Sequence, residues 1–234
     1  MRFLPGLFEN LVGQVDGVIA LDDHSTDGSR EFVEGQPLLV ELLSAPEGGW
    51  GWMRENLRQR KLIEAAWDHG AEWLLAIDAD ERLEREFRSR AEPELRRAAR
   101  EGHAALWVSW CELWGAPDTM RVDGVWGEKR KPSLFRSDRG HRFHDRPMHS
   151  FWAPWPPDNG EYPTADLRLY HLRMIEPADR EIRADRYRRL DPDREWQAIG
   201  YDYLVDEEGL EFAPLEPGRE YIPLGDGAST DASP

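Results

Sequence analysis

Two short apolar runs, VIAL at residues 18–21 and WLLAI at residues 73–77, both stop abruptly in carboxylates. Asp22 and Asp23 follow the first run, and Asp78 and Asp80 follow the second. Apolar runs of four to eight residues bounded by polar turns read as buried strands. The segments around them carry helical spacing. Leu4, Leu7, Phe8 and Leu11 recur at helical intervals behind Pro5, and residues 29–33 follow a capping run of Asp, Gly and Ser. A second strand is predicted at 38–43, and a long helix at 53–68 that ends before Gly70. Strands alternating with helices call for an α/β fold, here a Rossmann-type open sheet that is mostly parallel. Ligands of such sheets gather where the strands end, which is where these acids stand.

Beyond residue 83 the pattern predicts a charged helix at 83–100, then strands at 104–110, 134–136, 148–150 and 167–172. A charged helix follows at 178–190. With 234 residues and 40% apolar side chains, the chain is long enough to bury one core. The expected organisation is a single domain over 1–224, divided into a ligand-binding part (1–110) and a smaller, irregular part (111–224). Residues 225–234 lack large apolar side chains and read as a disordered tail.

The charge sum of −16 argues against nucleic acid or an anionic membrane as partner. Cys111 is the single cysteine, so neither an internal disulfide nor a multi-cysteine metal site is available, and it reads as a small buried hydrophobe. No apolar run is long enough to span a membrane, and no basic region followed by an apolar run opens the sequence. The expectation is a cytoplasmic protein without a transmembrane segment.

Four carboxylates converging in one cleft repel one another unless positive charge compensates them. A hard divalent cation, Mg2+ or Mn2+, does this naturally and bridges carboxylates to substrate phosphates. Taken singly, each acid cluster has an equally simple reading as a helix cap or polar turn.

The stretches LDDHSTDGS at 21–29 and AIDADE at 76–81 together resemble the inverting family 2 glycosyltransferases, enzymes of the GT-A fold. The resemblance is clear over residues 2–83 and looser beyond. It implies transfer of a sugar from a nucleotide-diphosphate sugar to a hydroxyl acceptor in a glycan, lipid or small molecule. By position, Asp22 and Asp23 would hold the nucleoside, with Arg58 or Arg60 near it. Asp78 would serve ribose or metal, Asp80 the metal, and His171 would close the metal site. In the second half, RVDGVWGEKRKPSLFRS at 121–137 resembles the strand before the acceptor loop. His149 stands where the family commonly has a His-Glu pair, but the next residue is Ser150. The expected general base is then replaced, with Asp145 as the substitute beside His149. Family members also open with a strand ahead of the first helix, and this sequence starts at that helix, as a chain truncated at its N-terminus would. A non-catalytic binding module of the same fold is the rival reading. A third possibility is a phosphoryl or nucleotidyl enzyme working through the same carboxylates. The aromatic stretch with Phe151, Trp152 and Trp155 reads either as a sugar-stacking surface or as a Pro-rich loop on the core.

Overall fold

A computed structural model describes residues 1–49, 51–156 and 161–223. The expected tail at 225–234 lies outside the described residues. The chain runs α1 (Leu4–Leu11), β1 (Val18–Asp22), α2 (Ser29–Glu34), β2 (Leu39–Ser44), α3 (Glu55–Asp68), β3 (Trp73–Leu75) and β4 (Glu81–Leu83). It continues through α4 (Phe87–Glu101), β5 (Ala105–Glu112), β6 (Thr119–Arg121), β7 (Arg130–Arg136), β8 (Thr164–His171), α5 (Pro177–Leu190) and β9 (Phe212–Pro214).

The fold is mixed α/β, but the expected mostly parallel sheet is not what forms. β1 and β2 pair in parallel as a separate two-stranded sheet. The main sheet has the order β3-β7-β5-β8-β4, in which only β5 and β8 are parallel neighbours. The reason is that β7 returns from the second half of the chain to lie between β3 and β5, antiparallel to both. β3, β5 and β8 therefore run one way, β7 and β4 the other.

This arrangement collects chemistry at one edge of the sheet. The carboxyl ends of β3, β5 and β8 deliver Asp78, Glu112 and His171 there. The amino ends of β7 and β4 bring Lys131 and Glu81 to the same edge, and the register aligns Glu81, His171 and Glu112 across β4, β8 and β5.

Three local readings are corrected. Residue 83, expected to open the charged helix, instead closes strand β4, whose residues 81–83 are all fully buried. The helix starts instead at Phe87, after Glu86 turns the chain in the left-handed region. Residues 148–150 form a loop, not a strand. Residues 73–77, read as a strand covered by parallel neighbours, give the edge strand β3, which is only half-buried.

The second edges of β1 and β3 have no strand partner among the described residues, and both border one cleft. The largest core cluster lies beneath the main sheet, built from Leu7, Leu83, Phe87, Leu106, Leu167 and Leu169 with neighbours. The Asn10 side chain fastens α1 to β4, accepting the Leu83 N–H at 2.7 Å and donating to the Leu83 carbonyl at 3.0 Å. Among the described residues no helix is long and apolar enough to cross a membrane.

Candidate functional site

The cleft encloses about 1620 Å3, more than a typical small-molecule pocket. β1 and α3 wall one side, and the edge of the main sheet with α5 walls the other. Asp22, Asp23, Arg58, Asp78, Asp80, His149 and His171 all line it. Two expected site residues do not. Asp145 is exposed outside the cleft. Arg60 points away from it, stacked over the Phe143 ring at 4.6 Å and 3.9 Å from Glu64, because α3 turns its side chain to the opposite face from Arg58.

On the β1 side, Asp22 accepts the Ser25 N–H at 3.1 Å, and Asp23 stands 4.0 Å from Arg58. The turn that follows β1 is thus closed by its own first carboxylate, the capping role such clusters commonly have.

On the sheet side, positive side chains already meet the carboxylates. Lys131 donates to Asp78 at 3.0 Å and to Glu81 at 2.7 Å. Burial would weaken the ammonium, but Asp78 and Glu81 outweigh it and hold the lysine charged. Glu112 accepts from Lys129 at 2.8 Å and lies 2.5 Å from His171 Nδ1. Nε2 of the same ring stands 3.7 Å from Asp80 and 3.1 Å from the Arg183 guanidinium. Burial alone would disfavour the imidazolium, yet Glu112 and Asp80 prevail and raise its pKa to about 9. For Asp80, the burial penalty is overcome by His171, Arg183 and Arg173, which hold the carboxyl well below its usual range. Four carboxylates thus meet Lys129, Lys131, Arg183 and the His171 ring.

This bears on the expected cation. A divalent metal here would need open oxygens from Asp78 and Asp80 and a lone pair on His171. Lys131 engages Asp78, Glu112 takes Nδ1, and a guanidinium faces Nε2. Among the described residues no three His, Cys, Asp or Glu side chains converge as a metal ligand set. The donor set as arranged does not fit Mg2+ or Mn2+.

Near the Ser150 departure, α3 and a loop supply what sequence reading missed. Glu55 donates its backbone N–H to the Pro147 carbonyl at 3.0 Å, and Gln59 donates to the Ser150 carbonyl at 3.0 Å. The Glu55 carboxyl is pushed up by burial and by Asp78, against the opposing effect of the Ser150 and His149 N–H groups. The clamped loop holds His149 in the left-handed region at φ 55°, uncommon for a non-glycine residue. The His149 ring packs against Tyr187 and Tyr201. Tyr201 donates its hydroxyl proton to Asp191 at 2.8 Å, so its oxygen is left to accept from His149 Nε2 at 3.0 Å. That chain fixes the tautomer: the proton sits on Nε2 and the Nδ1 lone pair is the ring's remaining acceptor. Burial and Arg146 hold the His149 pKa below its ordinary value, which keeps the ring neutral.

No family model matches the sequence. The chain is 27% identical over 243 aligned residues to an uncharacterized protein of Mycobacterium tuberculosis, and equally so to one of Mycobacterium bovis. The match takes in 93% of this chain and 59% of each relative, so the chain spans about three fifths of the length of the relatives it matches.

Proposed function

We propose that the protein is a glycosyltransferase of the GT-A type that transfers a sugar, with inversion, from a nucleotide-diphosphate sugar to a hydroxyl acceptor. The observation that carries this reading is convergence. The acids after β1 and those after β3 line one cleft, and a neutral histidine with a fixed tautomer lines it too. The nucleoside lies on the β1 side, against Asp22, Asp23 and Arg58. The diphosphate lies at the sheet edge. His149 Nδ1 takes the acceptor's proton as the acceptor oxygen bonds to the anomeric carbon, and the C–O bond to the diphosphate breaks with its electron pair leaving on the phosphate. His149 replaces Asp145 in this role because it lines the cleft and Asp145 does not. Such donors and a single unpaired cysteine fit a cytoplasmic location.

The test is turnover of a panel of nucleotide-diphosphate sugars with hydroxyl acceptors, followed by product analysis. Release of nucleoside diphosphate, lowered about 100-fold or more in His149→Gln, is expected. Release of pyrophosphate instead would indicate nucleotidyl transfer. Donor binding with no turnover would favour the binding-module reading, to which the open edges of β1 and β3 lend support.

A further inference from the structure

The cleft holds positive charge that its own acids have captured, and that charge occupies the position expected of a metal. We infer that a diphosphate binds here to Lys131 and Arg183 directly, with these two side chains standing where a divalent cation would stand. The inference rests on the diphosphate reading above and goes beyond it in making binding independent of metal.

Geometry supports it from three sides. The Lys131 ammonium is placed between Asp78 and Glu81, 3.0 and 2.7 Å from their oxygens, and lines the cleft. It is therefore anchored by two acids while presenting a face to the ligand, as a bridging metal would be. The Arg183 guanidinium also lines the cleft and reaches His171 Nε2 at 3.1 Å, so an ion approaching that nitrogen would meet a fixed positive charge. The guanidinium contacts the His171 ring and, at 4.0 Å, the Met174 sulfur, neither of them a carboxylate. Behind these groups, Lys129 and Glu112 pair at 2.8 Å and hold His171 from the protein side. A planar guanidinium and an ammonium give two kinds of donor to adjacent phosphates, the forked geometry and the point charge respectively.

The experiment uses inorganic pyrophosphate as probe and the whole chain as protein. Affinity is measured by calorimetry in excess EDTA and again with Mn2+, and Mn2+ binding to the protein alone is followed by electron paramagnetic resonance. The expected result is binding in EDTA within about twofold of that in Mn2+, no Mn2+ captured by the protein alone, and a loss of roughly tenfold or more in Lys131→Met and Arg183→Met. Lys131→Met leaves the buried Glu81 without its cationic partner, so Lys131→Arg and Arg183→Lys are measured beside it and should retain EDTA-resistant binding. Binding that appears only with Mn2+, or Mn2+ held by the protein alone, overturns the inference and leaves glycosyl transfer standing. Pyrophosphate that fails to bind in either buffer removes the diphosphate reading and this inference together.

Discussion

His149 shows how a side chain's orientation is set by partners that its neighbours in sequence do not reveal. Its ring is aligned by Tyr201, 52 positions away, and Tyr201 is aligned by Asp191. If the neutral ring takes the acceptor's proton, turnover is flat at neutral pH and falls as pH drops through the His149 pKa, which burial places below the ordinary 6.5. A pH–rate profile checks this. Tyr201→Phe removes the oxygen that holds Nε2–H and should lower kcat about tenfold with little change in KM. His141 is a buried histidine away from the cleft, with its ring 4.6 Å from that of Phe143 and its pKa lowered by burial to about 4. The unfolded chain takes up that proton near 6.5 and the folded chain only near 4, so stability falls as pH descends through this window. His141→Phe should flatten the decline in Tm over the same window. Sequence reading found Asp22, Asp23, Asp78 and Asp80 because each pair follows an apolar run directly, and it missed Glu55, which opens α3 with no such run before it. It missed Lys131 because the Glu81 it pairs with lies 50 positions away.

β4 is the element at which local pattern and structure part most plainly. Leu83 reads as the opening of a charged helix and Glu81 as the end of an acidic loop, yet Glu81, Arg82 and Leu83 form a strand that is fully buried. A charged strand survives inside only when each charge is met, and here Lys131 meets Glu81 while Arg82 donates to the carbonyls of Phe3, Ala79 and Glu81. None of those partners can be inferred from the periodicity of residues 81–83. The helix α1 and the strands β1, β5 and β8 were legible because each carries its own apolar pattern, α2 because of the Asp-Gly-Ser run that opens it, and α5 because of its run of both charges. Glu84, just after β4, repeats the principle: it is wholly buried and gripped by Arg219, at 2.5 Å from Nε and 3.0 Å from Nη2. Arg219→Met leaves that carboxylate with the Arg168 backbone N–H at 2.9 Å and the more distant Arg90 at 3.8 Å, and should cost about 3 kcal/mol, read as a lower midpoint in urea.

At the scale of the molecule, the cleft lies between two sheets, and among the described residues no strand joins these two bodies. β1 and β2 form their own sheet, every residue of β1 is only half-buried, and β5 and β8 carry the main core. Backbone opening draws on local burial, so the amides of β1 should exchange with solvent sooner than those of β5 and β8. A ligand that reaches Asp22 and Arg58 on one wall and Lys131 and Arg183 on the other ties the two bodies together. Saturation should then slow exchange in β1 more than in β8, and raise global stability by about 2.7 kcal/mol at a ligand concentration 100 times Kd. Hydrogen exchange followed by mass spectrometry, with and without a nucleotide-diphosphate sugar, reads both effects. Protection confined to the ends of β5 and β8 would show that the ligand rests on the sheet edge alone. In that case the acids after β1 serve the turn they close rather than the nucleoside.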